Sequence, residues 1–464
     1  MWTVAYLANQ FPSAVEPYVG EEIEELRARG VRIFTGSVRK ARLPKREGDA
    51  TECGADVVLQ SLRGMVLLRA TWLCVRRWHR ISDLVARVIS GGKEGPAQRA
   101  KALLHTWLGA CYAVMLEGSG VEHIHVHHGY FASWIAMAAA RLLNVNFSMT
   151  LHGSDLLLHG AYLDEKLKNC AFCLTVSEYN RRYILEHYPG IEAAKVMVAR
   201  LGVQVLEHAV RQDARPDSRG ARFMLLAVGR LHPVKDHAFL VRACAELYQL
   251  GIEFECSIAG EGPERRRLES LIRQNGLEER VTLLGHVARA QMPSLYDRAD
   301  VVVLTSRSEG IPLVLMEAMA RGKVVLAPAI TGIPELVVAG KTGFLYDRES
   351  LDDFVARLQF IHSLLQAADH PHIHPYAQSA ARQLDWIRHA AQLQVRHNFN
   401  RKKNLNSFGD LFLRRIATQA ESLSHENSVL QQIQLSVQRH RGVPVRVDGP
   451  DAVAGARGSA VLDV

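Results

Sequence analysis

The chain has 464 residues, 48% apolar and 22% charged, with 56 Lys and Arg against 48 Asp and Glu for a formal net charge of +8. These proportions belong to a globular protein and exclude wholesale disorder, collagen-like repetition and a multi-span membrane protein. Seven cysteines are a sparse and odd set, which argues against a disulfide framework and for a reducing compartment. The modest basic excess suits nucleic acid, anionic lipid or a polyanionic small molecule.

The amino end, MWTVAYLANQFP, has no basic leader region and reads as a first strand instead of a signal peptide. An amphipathic helix from Val19 to Arg29 follows, then the strand VRIFTGSV. Residues 61–90 differ from the rest: Arg63, Arg69, Arg76, Arg77, Arg80 and Arg87 flank Leu, Val, Met and Trp, and acids are nearly absent. This segment reads either as an interfacial helix on an anionic membrane surface or as a domain helix with a solvated basic face.

HIHVHH is strand-like and places His123, His125 and His127 on one face. That pattern is open to a zinc reading, but a parallel strand also buries neutral histidines, and no metal is expected. ASWIAMAAARLL, FSMTLHGSD, FCLTVS and EYNRRYILEHY continue an alternation of strands and helices. Phe131 to Leu151 is too interrupted, by Arg141, Asn144 and Asn146, to cross a bilayer. Cys170 and Cys173 form a lone Cys-x-x-Cys, either redox-active or half a metal site, or simply two small residues at a helix-to-strand passage. With no second pair, the last reading is preferred.

The rhythm stops over 206–222, a charged stretch read as a linker, and restarts with FMLLAVG. A helix from Ala238 to Leu250, FECSIAGEG, a helix from Glu264 to Asn275, VTLLGHV, ADVVVLTS, a helix from Pro312 and KVVLAP follow. Beyond Leu351 the pattern is helical; His370, His372 and His374 sit in a loop, and the tail is aperiodic. The expected organisation is 1–205, a linker 206–222, 223–375, helices 376–420 and a partly disordered tail 421–464. Repeated βαβ units predict an α/β fold with two doubly wound parallel sheets.

The chemistry concentrates in the second half. VVVLTS ends at the carboxyl edge of a parallel sheet, where ligand crevices lie. With Pro312 at the first helical position, the free N–H groups near Ile311, Leu313 and Val314 point into that crevice. Glu317 then lies about 9 Å along the helix, at ~1.5 Å per residue. Glu309 and Glu317 are acceptors for hydroxyl pairs at the two ends of an extended ligand. Arg230 and Lys235 supply fixed positive charge for an anion between them. Hydroxyls, a diphosphate and more hydroxyls describe a nucleotide sugar. The absence of an Asp-x-Asp near these residues fits a site in which cationic side chains replace a divalent metal, so no cofactor is expected.

In GRLHPVKD, IAGEGPERRRLESLI, VTLLGHV and SEGIPLVLMEAMARGKVVLAPAITGIPELVVAGKTGFLY the chain resembles the retaining family-4 glycosyltransferases of GT-B fold, over about Val4 to Asp347. The resemblance implies two Rossmann-like domains facing across a cleft, with the last helices crossing back onto the first. It implies that Gly229, Arg230 and Lys235 meet the diphosphate. Glu309, with Gly310, Ile311, Pro312 and Leu313, would meet the donor sugar, and Glu317 the ribose. The Gly260–Gly262 turn would lie beside the nucleotide, and His286 and Val287 beside the base.

TLHGSDLLL is similar to the family's histidine-bearing loop, implying that His152 and Asp155 face the cleft with His152 near the reacting sugar. The catalytic set is then His152, Arg230, Lys235 and Glu309. His127 and His128 join Asp155 on the acceptor side, and Glu16 either meets acceptor or is buried at a helix start. The opening NQFPSAVEPYVGEEIEELRARG resembles the exopolysaccharide branch of colanic-acid type, but lacks the glycine-rich loop after the first strand.

The implied activity is transfer, with retention, of a sugar from a UDP- or GDP-sugar to a hydroxyl of a glycan or lipid-linked glycan. The expected mechanism is front-face displacement, in which the leaving diphosphate takes the acceptor proton. The expected location is cytoplasmic and peripheral on the inner face of the membrane. A nucleotide-sugar epimerase of the same architecture and a non-catalytic nucleotide-sugar-binding module remain as alternatives. A nucleic-acid binder is set aside because the basic residues are not interleaved with a stacking platform.

Overall fold

Runs of Val, Ile, Leu and Ala too short for helices and bounded by Gly or Asn form strands that are buried on both faces. The computed structural model describes residues 1–13, 16–40, 55–158, 160–205, 222–369 and 377–419. The expected linker (apart from Arg222), the His370, His372 and His374 loop and the tail 421–464 fall outside them. Met1–Leu413 form one compact unit and Arg414–Val464 a second, of which 414–419 are described and helical.

The first half contains β1 (Thr3–Gln10), α1 (Pro17–Ala28), β2 (Arg32–Arg39), β3 (Val57–Val58), α2 (Gly64–Arg76), α3 (Ser82–Ser90) and α4 (Pro96–Leu116). It continues with β4 (His123–His127), α5 (Phe131–Leu143), β5 (Asn146–Leu151), α6 (Ser154–Leu157), α7 (Leu163–Asn169), β6 (Phe172–Thr175), α8 (Glu178–His187) and β7 (Val196–Val198). The seven strands are parallel in the order β3-β2-β1-β4-β5-β6-β7. Alanines on α5 let α4 approach closely: a Cβ on Gly109 would stand 2.6 Å from that of Ala138.

The second half contains β8 (Phe223–Val228), α9 (His237–Gln249), β9 (Phe254–Ala259), α10 (Arg265–Gln274), β10 (Val281–Gly285), α11 (Met292–Arg298) and β11 (Val301–Val303). After these come α12 (Leu313–Ala320), β12 (Val324–Pro328), α13 (Ile333–Leu336), β13 (Phe344–Tyr346), α14 (Leu351–Asp369) and α15 (Ala377–Asn398). Its six parallel strands run β10-β9-β8-β11-β12-β13. The strand order therefore reverses between β1 and β4 in one sheet and between β8 and β11 in the other. Crevices open at such reversals, beyond the carboxyl ends of the strands.

The chain is helical again over 401–419, here α16. Its start returns to the first sheet. Val203 bridges Asn400, Arg401 pairs with Glu21 at 2.6 Å, and Arg29 pairs with Asp410 at 2.5 Å. Phe412 is buried, its ring 5.1 Å from that of His125 and 5.6 Å from that of Phe172.

Two local expectations are corrected. Pro312 is the residue before α12, in extended conformation, and not its first helical residue. Residues 61–90 are not one helix: α2 ends at Arg76, a short 3-10 turn covers Trp78–Arg80, and α3 starts at Ser82. Smaller differences lie at other helix ends, where the structure starts α1 at Pro17, α9 at His237 and α10 at Arg265. Cys170 and Cys173 are buried and free. Burial pushes the Cys170 thiol up to about 12, which suits packing and not redox chemistry.

Candidate active site

β8 ends at Val228, and Gly229 and Arg230 follow at the strand-order reversal. The Gly260 turn lies flush against them: a Cβ on Gly260 would overlap the Gly229 carbonyl oxygen, and one on Gly262 the Leu231 carbonyl oxygen. Glycine is required at both positions for this close approach. Gly260 N–H donates to Gly285 O at 2.8 Å, so the loop carrying His286 and Val287 joins the same edge.

Lys235 is brought to Glu309, Nζ to Oε1 2.5 Å, at the carboxyl end of β11. Three further bonds hold the two loops. Thr305 Oγ1 donates to Lys235 O at 3.0 Å, Arg307 N–H donates to Val234 O at 2.8 Å, and Arg307 Nε reaches Asp236 Oδ2 at 2.9 Å. Asp236 is buried, adopts a left-handed φ of 48°, and also takes Arg348 at 2.9 Å. Arg230 is exposed and makes no ion pair among the described residues. Glu317, one and a half turns into α12, accepts the Tyr296 hydroxyl at 2.7 Å.

The opposite wall comes from the ends of β4 and β5. Asp155 is buried and its carboxylate accepts N–H groups of Gly129 at 2.9 Å, Gly153 at 2.7 Å and His152 at 3.1 Å. Burial alone would raise its pKa, but His128 and these amides hold it well below the usual carboxylate range. His128, at a left-handed φ of 70°, stands between Glu16 at 2.9 Å and Asp155 at 3.6 Å. Burial would lower its pKa; the two carboxylates instead raise it to about 10, so it is an imidazolium at neutral pH. The Glu16 carboxyl, despite burial, is lowered chiefly by His128, with a contribution from Arg230 across the cleft.

His152 Nε2 lies 3.0 Å from His127 Nδ1, and its ring packs against Tyr18 and His128 at 4.7 and 4.5 Å. Burial and the neighbouring His128 push its pKa well below 6.5, so it is neutral. His127 corrects an expectation: its side chain is fully buried, with Nε2 3.1 Å from Glu22 and Nδ1 on His152. A direct acceptor contact is therefore closed to it in this conformation.

Glu22, His125 and His127 place one ligand atom each within 4.8 Å of one another. Both His125 nitrogens, however, already meet hydroxyls, Ser148 at 2.7 Å and Thr150 at 3.1 Å. The arrangement fits a hydrogen-bonded ladder better than a metal centre.

The two walls meet at Gly310, where a Cβ would overlap the His152 carbonyl oxygen. Thus His152, Arg230, Lys235 and Glu309 gather at one crevice lined by both sheets.

Residues 15–205 match the family model described as Glycosyltransferase Family 4, and residues 211–369 the model described as Glycosyl transferases group 1. The chain belongs to the family-4 glycosyltransferases. WcaL of Salmonella typhimurium, named for colanic acid biosynthesis, is 36% identical over 36% of this chain and 42% of its own length. The amylovoran biosynthesis glycosyltransferase AmsK of Erwinia amylovora is 33% identical over 36% of this chain and 43% of its own. The chain thus spans about two fifths of the length of these relatives. Among solved structures, sucrose-phosphate synthase from Thermosynechococcus elongatus superposes with a TM-score of 0.63 at 17% identity, covering 90% of this chain and 100% of the other. HepE of Anabaena, crystallised with UDP and glucose, gives 0.56 at 17% identity over 92% and 100%. These likenesses establish the GT-B fold.

In this family-4 glycosyltransferase, sequence reasoning missed Glu22, Asp236, Tyr296 and Glu335 as site-shaping residues. Glu22 carried a usable signal. It falls on the same helical face as Val19, Ile23 and Leu26, where a carboxylate is buried and needs donors.

Proposed function

We propose that the chain transfers a hexosyl-type sugar, with retention and without a metal ion, from a UDP- or GDP-sugar to a hydroxyl of a glycan or lipid-linked glycan in exopolysaccharide assembly. One observation carries the reading: the Lys235–Glu309 pair and exposed Arg230 lie at one sheet reversal, and Gly310, next to Glu309, meets the backbone of neutral His152 at the end of β5 in the other sheet. Relatives named for colanic acid and amylovoran biosynthesis support the pathway, and the UDP complex of HepE supports the donor class.

In this reading Arg230, Lys235 and the amides at the start of α12 hold the diphosphate. As the bond from the anomeric carbon to the phosphate oxygen breaks, its electron pair stays on the diphosphate. Arg230 and Lys235 stabilise that growing charge, most strongly in the transition state. The acceptor oxygen bonds to the anomeric carbon on the same face, and its proton passes to the departing phosphate oxygen. His152 orients the sugar, Glu309 meets its hydroxyls, and Glu317 meets the ribose.

The test is a turnover and thermal-shift panel of UDP- and GDP-sugars with an acceptor glycan, with and without EDTA, beside Arg230→Ala. Stabilisation by one nucleotide, insensitive to EDTA and lost in the variant, with product of retained anomeric configuration, is the expected result. Inverted product, EDTA sensitivity or isomerised donor without acceptor would each overturn it, the last in favour of an epimerase.

The acceptor is proposed to be reached at an anionic membrane face from the cytoplasmic side. Met65, Leu68, Trp72 and Val75 line the outer face of α2 with exposures of 68, 70, 59 and 72%, and Trp78 extends the patch. No carboxylate occurs between Asp56 and Asp83, while five arginines do. Apolar stripe, tryptophans and arginines together suit an interfacial helix. No described helix is long and apolar enough to cross a membrane.

A further inference from the structure

We propose that Glu22 and His127 are positioning residues that set the tautomer of His152, so that His152 presents the lone pair of Nδ1 to the sugar in the cleft. The proposal rests on the reading above, in which His152 faces the reacting sugar, and adds two residues that touch no substrate.

Glu22 is 4% exposed, and its Oε2 accepts the Tyr6 hydroxyl at 3.0 Å. The same oxygen stands 3.1 Å from His127 Nε2, a close contact that does not meet hydrogen-bond geometry. A buried carboxylate is costly unless donors face it, and two acceptors at this distance repel. When His127 carries one hydrogen, that hydrogen sits on Nε2, toward Glu22, and Nδ1 keeps its lone pair.

The next step follows from geometry. His127 Nδ1 faces His152 Nε2 at 3.0 Å. With a lone pair on the first, the hydrogen of neutral His152 must be on Nε2, which leaves Nδ1 as an acceptor. That nitrogen has no hydrogen-bond partner among the described residues. The surroundings keep His152 from charging: His128 is already an imidazolium beside it, paired with Glu16 and Asp155, and Tyr18 covers its other side. A carboxylate two residues away through space thus decides which atom of His152 a sugar hydroxyl meets, as an outer hydrogen bond fixes the tautomer of a working histidine elsewhere.

Glu22→Gln is the discriminating variant. It preserves shape, and its amide N–H₂ can donate to His127 Nε2, which inverts both tautomers. Tyr6→Phe removes the other partner of the same carboxylate and leaves the relay intact. The measurement is two-dimensional ¹⁵N–¹H NMR of histidine-labelled full-length protein, together with steady-state kinetics. In the wild type His152 is expected to be protonated at Nε2, and in Glu22→Gln at Nδ1. kcat is expected to fall at least about ten-fold in Glu22→Gln with donor KM little changed, and to stay within about two-fold in Tyr6→Phe, the order of one mispaired hydrogen bond. Protonation at Nδ1 in the wild type, or an unchanged His152 tautomer in Glu22→Gln, overturns the proposal. Equal losses of kcat in both variants also overturn it, because they mark packing instead of a relay. Failure of the parent reading looks different: His152→Ala would then retain full kcat while the NMR signature of the relay persists in the wild type.

Discussion

Glu335 closes the amino end of a helix that belongs to the other sheet. Its Oε1 accepts the Tyr179 N–H at 2.7 Å and its Oε2 the Glu178 N–H at 3.1 Å, at the start of α8, with Arg200 3.6 Å away. A carboxylate at a helix amino end gains from the helix dipole and from otherwise unpaired N–H groups. The bond joins the two walls of the cleft beside the contact of His152 with Gly310. Glu335→Ala is expected to lower stability by about 1–2 kcal/mol and to raise donor KM more than it lowers kcat. Calorimetry and steady-state kinetics check this; an unchanged donor KM would detach the bond from closure.

Arg230 and Lys235 differ in how they are held, and the difference is measurable. Lys235 is tied to Glu309 at 2.5 Å, whereas Arg230 is exposed at the cleft. Arg230→Ala and Lys235→Ala should each reduce kcat by about 10²-fold, the scale of a lost transition-state donor. Lys235→Ala also strands the Glu309 carboxylate, 12% exposed, so it alone should cost stability, by about 1–3 kcal/mol. Rate assays paired with thermal denaturation separate the two effects. Near-normal rates in both variants would remove the donor-site assignment.

Tyr296 supports Glu317 from behind. Removing its hydroxyl frees Glu317 Oε2 without emptying the site. Tyr296→Phe should raise donor KM by a few-fold, about the worth of one hydrogen bond to a charged group, with kcat retained. Glu317→Ala should be the more severe of the two. The comparison is read by isothermal titration with the nucleoside diphosphate.

The His128 triad gives the stability a defined dependence on pH. The folded-state pKa of His128 is raised from 6.5 to about 10, so its stabilisation is complete below about 6.5 and is lost as pH climbs toward 10. Asp155 and Glu16 are lowered, so their stabilisation is present above about 4 and is lost on acidification. Lys166, whose ammonium is buried on the carbonyls of Gly129, Tyr130 and Ala161, is lowered to about 7 and acts in the opposite sense on the alkaline side. The informative quantity is therefore the difference between wild type and His128→Asn, since Asn tolerates the left-handed backbone. That difference should shrink by a few kcal/mol, to order of magnitude, between pH 7 and pH 10. A pH-independent difference in denaturant titrations would refute the ion triad.

The α2 patch predicts binding to vesicles containing phosphatidylglycerol and not to pure phosphatidylcholine, weakening with salt as screened charges must. Leu68→Glu with Trp72→Glu should abolish sedimentation with vesicles while leaving turnover on a soluble acceptor intact. Binding that survives this double change would exclude α2 as the contact.

Much of the fold was legible because βαβ units write themselves locally. Apolar runs such as VVVLTS and glycines such as Gly260 and Gly262 mark strand, edge and close approach within a few residues of each other. The positions of Arg230, Lys235 and Glu309 were legible for the same reason, since each follows a strand by only a few residues. What was not legible depends on partners far away in the chain. The apolar helical face marks Glu22 as buried, but its partners Tyr6 and His127 are brought beside it only by the packed fold. Glu335 and Tyr296 each act on a residue brought near only by the packed fold. The burial of His127 is not legible either, because alternation along a strand says which face a side chain takes, not whether His152 already covers it. The break between α2 and α3 is not legible in the sequence because it is set by arginines that follow α2 and turn inward to distant partners, Arg77 to the carbonyl of Leu142 and Arg80 to that of Arg141.

The return of the chain at Asn400 constrains motion as well as packing. Val203 N–H donates to Phe399 O at 2.9 Å and Arg401 N–H donates to Val203 O at 3.0 Å, while a Cβ on Gly202 would press into Phe399 and Arg401. The polypeptide therefore passes between its two sheets twice, and the two passages are stitched side by side. Such a double strap resists twist and shear but yields to folding along its own line.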